Sequence, residues 1–547
     1  MAKFNPKTEK RVPTKINKMG EEAFQLDPRE ELVATVLTTF IQKSYYESEA
    51  EILNRIKRAL DKCDPLFVAK LAIYTRTEAN MRSSSHVLAA ELARKLSGKE
   101  WATRFFEKII VRPDDMSEII SYYKNVLNKD ADKLKMPNAM RRGFKKRLER
   151  LDAYLIDKYK MAGRDISLID LVNLLHPKPN KKNAKAFDLL INNNGKGIDE
   201  LYISKILEKE MSKAGKTKGD VKEAKKEAIT SVLENTAGMP MFNLLRNLRN
   251  IILYAPDKVN DAIKQLTTPE KVQNSRLLPF RFLSAYKEID KLSYAGGKTS
   301  EKVVFEDEKN GSMVDTNTFN QSKRTILDGI EKAIELSCAN IPTLEGRTAI
   351  LIDHSGSVRG DGGGASLVSA LSKTRTVDIA NTFASMLMKF QGNVYVGLFG
   401  DKLVSYNVDR TKGILETTKD IHKVGASCGG STEAGIFEFF AETLKTGKTV
   451  DNIIIFSDMV IGDACHWYGY TPASRGNFRD LFKQWRKKFP RTKVVSVDIR
   501  QTDGTSVFDK SYQVTQVAGW SDKIFDVIAA GTVGYKAIIK EIEKIEI

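Results

Sequence analysis

The sequence predicts two structural regions in one chain, a long all-helical region followed by a doubly wound α/β domain. Its 547 residues exceed what one hydrophobic core supports, since domains usually hold roughly 100–200 residues. Apolar residues recur at helical spacing through the first two-thirds of the chain, and strand and helix patterns alternate after residue 345. We therefore expect a basic N-terminal tail over residues 1–20, a helical region over 21–345 and an α/β domain over 346–547.

Short amphipathic segments that follow one another predict the helical region. Ile52, Ile56 and Leu60 occupy one face of a helix. Asp64 and Pro65 are typical of a helix start, a capping side chain followed by proline at the first helical position. Such helices, sustained over roughly 300 residues, indicate an α-solenoid with diverged repeats. Later helices are predicted over 144–159, 168–175, 242–254 and 325–338, and strand-like alternation before residue 345 is limited to 303–305.

The region after residue 345 alternates short apolar runs with amphipathic segments. The run TAILIDHS over 348–355 is typical of a buried parallel strand that ends in polar residues. Regular alternation of strand and helix indicates a parallel sheet with helices on both faces. Further strands are predicted over 394–399, 452–456, 493–498 and 512–517, and helices over 377–390, 434–444, 477–488 and 522–530.

The charge of the chain points to a polyanionic partner. Lys and Arg number 88 against 70 Asp and Glu, a formal net charge of +18. The first 345 residues hold 62 basic and 48 acidic residues, so most of the excess lies in the helical region. Cations that neutralise phosphates release counterions and thereby favour binding to nucleic acid. A merely well-solvated basic surface is the alternative that charge alone leaves open.

Composition also bears on where the protein works. The four cysteines lie far apart without a CxxC pair, which argues against a disulfide framework or structural zinc. No apolar run approaches the roughly 20 residues that span a bilayer, and the basic N-terminus lacks the apolar core of a secretory signal. We expect a cytoplasmic protein that does not enter a membrane.

Oxygen-bearing side chains follow three predicted strands of the α/β domain. Asp353, Ser355 and Ser357 form a DxSxS at the end of the first strand. Thr432 closes a Gly-Gly-Ser-Thr loop before a helix, and Asp458 follows the strand over 452–456. Ligands bind beyond the carboxyl ends of parallel strands, and Mg²⁺ prefers oxygen ligands while retaining several waters. The five side chains therefore predict a site for Mg²⁺ or another divalent cation.

Three blocks of basic residues in the helical region are candidates for contacts with nucleic acid. They fall within about 45 residues of one another, and Tyr and His side chains beside them offer faces on which unpaired bases stack. Each block alone also fits a solvated helix face. The candidate residues are Arg141, Arg142 and Lys145 in the first block, Lys158, Lys160 and Arg164 in the second, and His176 and Lys178 in the third.

Four segments of the helical region resemble the TROVE module of the Ro autoantigen family. They are LAIYTRTEANMRSSSHVLAAELA (71–93), VNLLHPKP (172–179), GMPMFNLLRNLRN (238–250) and LLPFRFLSAY (277–286). The DxSxS, Thr and Asp pattern after residue 345 resembles the metal-ion-dependent adhesion site of a von Willebrand factor A domain. Ro proteins combine these two modules in the order seen here, so the resemblance covers nearly the whole chain.

The resemblance implies a monomeric closed ring of HEAT-like helices followed by a von Willebrand factor A domain. It further implies that small noncoding Y-like RNA binds the basic outer surface, and that single-stranded 3′ ends of misfolded RNA enter a central hole. His176 matches the RNA-contacting histidine of the family and Lys158 a lysine that contacts Y RNA. The arginine of the family has no clean counterpart, and Arg164 is a displaced candidate. This departure and the Lys-rich stretch over 205–228 leave the identity of the RNA open.

Two classes of function follow. The first is an RNA-binding scaffold without catalysis, because the five histidines are scattered and no Walker loop is present. Such a scaffold would serve RNA quality control, with an exoribonuclease as a further expected partner. The second is a protein-binding module that recruits a partner through its Mg²⁺. A two-metal nuclease is disfavoured, since it needs more carboxylates than Asp353 and Asp458 provide.

Overall fold

The chain divides into two compact units. One contains the residues up to Ser84 together with Ile341–Glu546, and the other contains Ser85–Asn340, so the division falls within the helix Ser83–Ala93. No helix in the described part of the chain is long and apolar enough to cross a membrane. The computed structural model describes residues 13–547 except 14, 19, 42, 44–45, 128–134, 199–228, 231–238, 276, 278, 293–315, 339–340, 342, 361–365, 369–372, 431–433, 462–477, 522–523, 526–527 and 529–533.

The unit Ser85–Asn340 consists of short helices, as the hydrophobic periodicity predicts. The predicted helix over 168–175 is confirmed at both ends, and the helix predicted over 242–254 begins one residue earlier. The Lys-rich stretch over 205–228 and the strand pattern over 303–305 lie outside the described residues. Its helices include Ala102–Lys108, Pro113–Tyr122, Asn138–Leu148, Ala153–Lys158, Leu168–Leu175, Ala184–Asn192, Met241–Tyr254, Val259–Leu266, Pro269–Asn274, Phe280–Asp290 and Thr316–Ser337, with a π-turn at Tyr123–Leu127 and a 3₁₀ turn at Pro256–Lys258.

The prediction of one helix over 144–159 is wrong, because the structure has two helices there, Asn138–Leu148 and Ala153–Lys158. Asp152 begins the second helix by accepting a hydrogen bond from the backbone N–H of Leu155 at 2.8 Å. A side chain that caps a helix favours a new start over continuation of the previous turn. The apolar periodicity on either side of this cap conceals the break.

Close helix contact fixes the position of the first basic block. The helix Asn138–Leu148 packs against Ala102–Lys108, where a Cβ at Gly143 would lie 2.6 Å from Cβ of Phe106. Glycine is therefore required for the two backbones to approach. Phe106 and Phe144 are fully buried beside it, with ring centroids 5.8 Å apart. The polar side of the same helix, which carries Arg141 and Arg142, faces solvent.

The unit that contains Ile341–Glu546 is built on a six-stranded sheet, which confirms the predicted α/β fold. In spatial order the strands are β5-β4-β3-β6-β7-β9, all parallel except the edge strand β5. Most of the predicted helix over 522–530 lies outside the described residues. The strands are β3 (Thr348–Asp353), β4 (Val394–Phe399), β5 (Leu403–Ser405), β6 (Asn452–Ser457), β7 (Lys493–Asp498) and β9 (Val514–Ala518), and the helices include Gly356–Arg359, Thr376–Phe390, Ile414–Val424, Ala434–Thr446, Phe478–Lys488 and Lys536–Glu543, with 3₁₀ turns at Gly425–Cys428 and Lys510–Tyr512.

The N-terminal residues of the chain belong to the unit that contains this sheet. They include two short strands, β1 (Lys15–Ile16) and β2 (Glu22–Gln25), which the sequence did not predict. β2 pairs with β8 (Thr505–Ser506), which lies about 480 residues later in the chain, so no local sequence pattern predicts β2. The helices that follow are Pro28–Leu37, Glu49–Asp61 and Pro65–Thr77, the last capped by Asp64 as predicted.

A buried ion pair joins these N-terminal helices to the end of β7. The guanidinium of Arg55 donates two hydrogen bonds to the carboxylate of Glu47, at 3.2 and 2.7 Å, and a third to the carbonyl of Gln501 at 3.0 Å. It also donates to the hydroxyl of Thr35. Only 2% of the Arg55 side chain and 8% of that of Glu47 are exposed. Bidentate geometry with further hydrogen bonds is the arrangement in which a buried pair offsets its desolvation cost.

We predict that Arg55→Met lowers the free energy of unfolding of this unit by about 3–5 kcal/mol, because it leaves the carboxylate of Glu47 buried without a counter-ion. The double variant Arg55→Met, Glu47→Met removes both charges and should recover a large part of that loss. Urea unfolding of the three proteins measures the coupling. Equal stability of the single and double variants would show that the pair contributes no coupling energy.

Candidate RNA surface and candidate metal centre

His176 lies at the end of the helix Leu168–Leu175 and is exposed. Ser167 caps the start of that helix, and the backbone N–H of His176 closes its last turn on the carbonyl of Val172 at 2.9 Å. His176 adopts a left-handed backbone conformation with φ of 47°, which costs free energy for a residue other than glycine. The turn places the imidazole at the surface, beside the loop that leads to Lys178.

Two of the predicted basic blocks meet around His176. The guanidinium of Arg141 donates to the carbonyl of Leu174, two residues before His176, at 3.4 Å. The backbone N–H of Lys178 donates to the Glu149 carboxylate at 2.9 Å, which fixes the loop while leaving the Lys178 side chain exposed. The structure thus brings Arg141, His176 and Lys178 together on one side of the unit.

Lys158 lies in the second block with its charged end between two aromatic rings. Its ammonium is 5.0 Å from the ring centroid of Tyr154 and 5.6 Å from that of Tyr159, and it donates to the Tyr154 hydroxyl at 2.8 Å. The Lys158 side chain is exposed. Because this ammonium contacts a hydroxyl and aromatic rings and forms no ion pair among the described residues, it can contact a phosphate while the rings contact a base.

The other two residues of that block differ from each other. Lys160 forms an ion pair with the buried carboxylate of Asp157 at 2.5 Å, so its charge is neutralised within the unit. Arg164 is exposed in the turn before Ser167. Because a helix rises 1.5 Å per residue, Arg164 and His176 lie at opposite ends of a helix about 12 Å long. Arg142 is exposed and Lys145 half-buried on the helix Asn138–Leu148.

A further exposed face lies on the helix Met241–Tyr254, and the sequence analysis did not assign it a role. Phe242 is 44% exposed, and the guanidinium of Arg246 lies 5.8 Å from its ring centroid. Arg249 is exposed one turn further along. An exposed ring flanked by arginines on one helix face is a composition that stacks on unpaired bases. The signal in the sequence is Phe242 at a position where the apolar periodicity predicts solvent.

In the other unit, the DxSxS side chains lie buried at the carboxyl end of β3. One carboxylate oxygen of Asp353 accepts the backbone N–H of Ser355 at 2.8 Å, and the other accepts the hydroxyl of Ser457 at 2.7 Å. The hydroxyls of Ser355 and Ser357 are 3.1 Å apart. Cis ligands of an octahedral Mg²⁺ lie about 3.0 Å apart, given metal–oxygen distances of about 2.1 Å. The hydroxyl pair therefore has the spacing of two neighbouring Mg²⁺ ligands.

Asp458 lies at the equivalent end of the neighbouring strand β6 and is 4% exposed. One of its carboxylate oxygens accepts the backbone N–H of Val460 at 3.2 Å. Gly430 is close to the DxSxS loop, since its carbonyl accepts the backbone N–H of Gly356 at 2.7 Å, but Thr432 lies outside the described residues. Across the residues described, no three His, Cys, Asp or Glu side chains group as metal ligands, so a cation here depends on hydroxyl oxygens.

A third strand-end carboxylate, Asp498 at the end of β7, was not predicted. It is fully buried, and burial followed by repulsion from Asp458 raises its pKa well above the usual range. Gln501 donates to it at 2.7 Å. The neighbouring guanidinium of Arg500 is also buried, and its pKa is lowered to about 10 by desolvation while Asp458 and Glu47 oppose that shift. A strand-terminal Asp was the signal that identified Asp353, and it applies equally to Asp498.

His354 and Cys428 lie near the metal-ligand candidates but are not suited to nucleophilic chemistry. His354 is fully buried, with Nε2 3.0 Å from the side-chain oxygen of Asn381, and a Cβ at Gly425 would overlap its ring. Desolvation lowers the pKa of His354 to about 3, assisted by the charge of Arg359. Burial raises the pKa of the Cys428 thiol to about 11, so the thiolate is scarce at neutral pH.

Comparison with known proteins identifies one protein family, together with similar curated proteins and a similar solved structure. The TROVE domain family model matches residues 33–233 and 222–346, more than half of the chain. Telomerase protein component 1 of Rattus norvegicus is 23% identical over 108 residues, which cover 20% of this chain and 4% of that protein. The protein of the same name from Mus musculus is 22% identical over 140 residues, covering 24% and 5%. The chain thus spans only a small fraction of the length of these curated relatives.

Among solved structures, the Ro (Rsr) protein of Deinococcus radiodurans is similar along nearly its whole length. Its crystal structure aligns with a TM-score of 0.53 at 14% identity, covering 92% of this chain and 99% of that one. At this identity the likeness establishes the fold. It confirms the predicted combination of a helical region with a C-terminal α/β domain.

The buried imidazole of His354 generates a prediction about pH. The folded protein keeps this group neutral down to about pH 3, whereas the unfolded chain protonates it near pH 6.5. Its contribution to the free energy of unfolding is therefore present above pH 6.5 and is lost as the pH falls below that value. Between pH 6.5 and 5 we expect His354→Asn to reduce the pH-dependent loss of stability by about 2 kcal/mol relative to the unsubstituted protein. Unfolding curves of both proteins in EDTA test this; parallel pH profiles would contradict it.

Proposed function

The chain belongs to the TROVE domain family, and on that premise we propose that it is an RNA-binding protein of the Ro type. The observation that carries this proposal is the exposed group of Arg141, His176 and Lys178 on one side of the helical unit. Phosphates are bound by such cations, and an exposed imidazole offers a face for an unpaired base. The net charge of +18 supports the same class of partner.

Some basic side chains of the helical unit form ion pairs and others do not. This difference distinguishes a surface that can bind an anion from a uniformly basic one. Lys160 is neutralised by Asp157, and Arg150 by Glu107 at 2.6 Å. Lys158 instead rests on two tyrosine rings. A cation held by aromatic faces and not by a carboxylate needs no ion pair to be broken before it contacts phosphate, which favours association.

We further propose that the RNA is a small noncoding, Y-like RNA and that the protein takes part in RNA quality control. In this proposal the basic outer surface holds the structured RNA, while a central hole in the helical region accepts single-stranded 3′ ends of misfolded RNA. The exposed Phe242 with Arg246 suits unpaired bases, since stacking on a ring does not depend on sequence. An exoribonuclease is the partner that would receive such ends, the protein itself would not be an enzyme, and its place would be the cytoplasm.

The metal centre supports a second, compatible proposal. Asp353, Ser355, Ser357 and Asp458 would hold a divalent cation, with Thr432 as a further ligand, and Mg²⁺ suits this oxygen set. When bound, the cation supplies a Lewis-acidic position that accepts a carboxylate oxygen of a partner. The buried hydroxyl pair at 3.1 Å and the buried carboxyl groups of Asp353 and Asp458 favour a bound cation, because they concentrate oxygen donors and negative charge that a cation offsets. Recruitment of a protein partner by this site is the alternative function.

We expect the double variant Lys158→Gln, His176→Asn to bind RNA about tenfold or more weakly, because it removes a phosphate contact and a stacking face. Asn tolerates the left-handed backbone at position 176, so the helix end is retained. The slope of log affinity against log salt should fall by about 0.7–0.9, the value of one phosphate contact. Fluorescence anisotropy with a labelled RNA hairpin that carries a single-stranded 3′ tail measures both quantities.

The matched control is Lys264→Gln, which removes one exposed lysine from the helix Val259–Leu266 of the same unit. It should leave affinity and salt slope unchanged. If the double variant and this control behave alike, Lys158 and His176 are not part of the RNA surface.

For the metal centre we expect one Mg²⁺ per chain by calorimetry. Asp353→Asn should abolish the binding, and Ser355→Ala should weaken it about tenfold or more, because each removes an oxygen donor. Asp480→Asn, an exposed carboxylate on the helix Phe478–Lys488, is the control. EDTA should not change the affinity for the RNA hairpin, since Arg141, Lys158, His176 and Lys178 lie in the other unit. Mg²⁺ binding that survives Asp353→Asn would contradict the assignment.

A further inference from the structure

A group of basic residues lies at the amino ends of the parallel strands in the α/β unit, the end opposite to Asp353. Strands β4, β3, β6 and β7 begin at the same level, because Thr348 lies opposite Val394 and Asn452, and Asn452 lies opposite Lys493. The residues that precede these strands therefore form one edge, about 14 Å wide given strand spacings of about 4.8 Å. We name six exposed cations of this edge the basic pole: Arg347, Arg410, Lys448, Lys488, Arg491 and Lys493.

Backbone carbonyls, and not carboxylates, hold the cations of the basic pole whose contacts are defined. The guanidinium of Arg347 donates to the carbonyl of Thr449 at 2.9 Å, that of Arg410 donates to the carbonyl of Gln391 at 3.0 Å, and Lys488 donates to that of Leu444 at 2.6 Å. Within the described part of the chain, none of the six forms an ion pair. Their charges are thus positioned but not neutralised.

Three acidic residues occur at this edge, and together they do not cancel the six cations. Asp451 directs its carboxylate to the backbone N–H of Arg347, at 2.7 Å. Gly346, with φ of +87°, makes room for that contact, since a Cβ there would lie 2.5 Å from the carboxylate oxygen. Glu345 is exposed, and the exposed Asp409 beside Arg410 directs its carboxylate to the backbone N–H and the hydroxyl of Thr411. Six cations against three carboxylates leave an excess of about three positive charges on a small surface.

Helix stabilisation does not account for this surface. Cations in the last turn of a helix interact favourably with its dipole, which explains Lys488 at the end of Phe478–Lys488. Arg347, Lys448 and Arg491 lie in connections outside any helix, and Lys493 is the first residue of β7. Their clustering costs free energy through mutual repulsion, which an anionic ligand would relieve.

We propose that the basic pole binds the phosphate backbone of nucleic acid, as a second contact surface on this chain and separate from the helical unit. This proposal takes its choice of RNA from the proposed function. An acidic protein is the other anionic partner, but protein interfaces have an apolar, often aromatic, centre. Phe390, 37% exposed, is the one large exposed apolar side chain recorded near this edge in the described residues. Charges held by main chain without an apolar centre fit sequence-independent contact with phosphates.

The test uses the full-length triple variant Lys448→Gln, Arg491→Gln, Lys493→Gln. None of these three side chains makes a hydrogen bond to another described residue, so the fold is retained. The probe is fluorescein-labelled oligouridine, titrated by anisotropy across a series of KCl concentrations. Each lost phosphate contact lowers the salt slope by about 0.7, so we expect a decrease of about 2 and a loss of affinity of at least about tenfold.

The matched control is Lys402→Gln, Lys423→Gln, Lys536→Gln, which removes three exposed lysines of the same unit away from the pole. It should bind oligouridine as the unsubstituted protein does. A pole variant that behaves like this control overturns the proposal, while loss of binding in Lys158→Gln, His176→Asn in the same assay would leave the RNA-binding function standing. Loss in the pole variant alone supports the pole and removes Lys158 and His176 from the surface that binds single-stranded RNA.

Two further outcomes are decisive. If the unsubstituted protein does not bind oligouridine at low salt, the basic pole and the proposed acceptance of single-stranded RNA ends are both overturned, while the hairpin assay decides the binding of structured RNA. Poly-L-glutamate serves as the acidic protein probe. If the pole variant loses poly-L-glutamate binding but keeps its RNA affinity, the partner is an acidic protein and the nucleic-acid proposal is wrong.

Discussion

Burial of carboxyl groups at the carboxyl ends of three neighbouring strands is the constraint on which the α/β unit depends. Asp353 and Asp498 end β3 and β7, Asp458 directly follows β6, and each is at most 4% exposed. Burial of a carboxylate costs free energy unless hydrogen bonds or a nearby cation offset the loss of hydration. The structure supplies this offset in three ways: hydrogen bonds from a hydroxyl and backbone N–H groups to Asp353 and Asp458, a hydrogen bond from the Gln501 side chain to Asp498, and the buried guanidinium of Arg500. The divalent cation that we propose for Asp353 and the two serine hydroxyls would complete this balance and would link the stability of the unit to occupation of the site.

Charge in the helical unit follows the opposite pattern, because there the cations face solvent. The packing of the helix Asn138–Leu148 explains this exposure. Gly143 lets this helix approach a second helix closely, the aromatic core forms on that side, and the basic side of the helix faces solvent. The cap of Asp152 and the left-handed turn at His176 then bring segments about 35 residues apart in sequence onto one side of the unit. Function here depends on loop and cap geometry that positions exposed groups, as is common for binding surfaces.

Local chemistry made much of this structure predictable. The cap at Asp64, the helix over 168–175 and the strand over 493–498 follow from side chains within a few residues. The features that could not be predicted depend on distant partners. β2 exists because it pairs with β8, the perturbed pKa of Asp498 arises from the burial and neighbours that the fold creates, and the pairing of Lys160 with Asp157 becomes visible only once the turn is in place. The break at Asp152 is the exception, since its signal is local and the surrounding periodicity hid it.

The central claim is that exposed cations of the helical unit bind RNA, and crosslinking tests it most directly. Full-length protein would be irradiated with ultraviolet light in cells, purified under denaturing conditions, and both the attached RNA and the crosslinked peptides identified. The account predicts small noncoding RNA enriched over background, attached to peptides that contain residues 141–178. Protein free of attached RNA, or crosslinks confined to other segments, would contradict it.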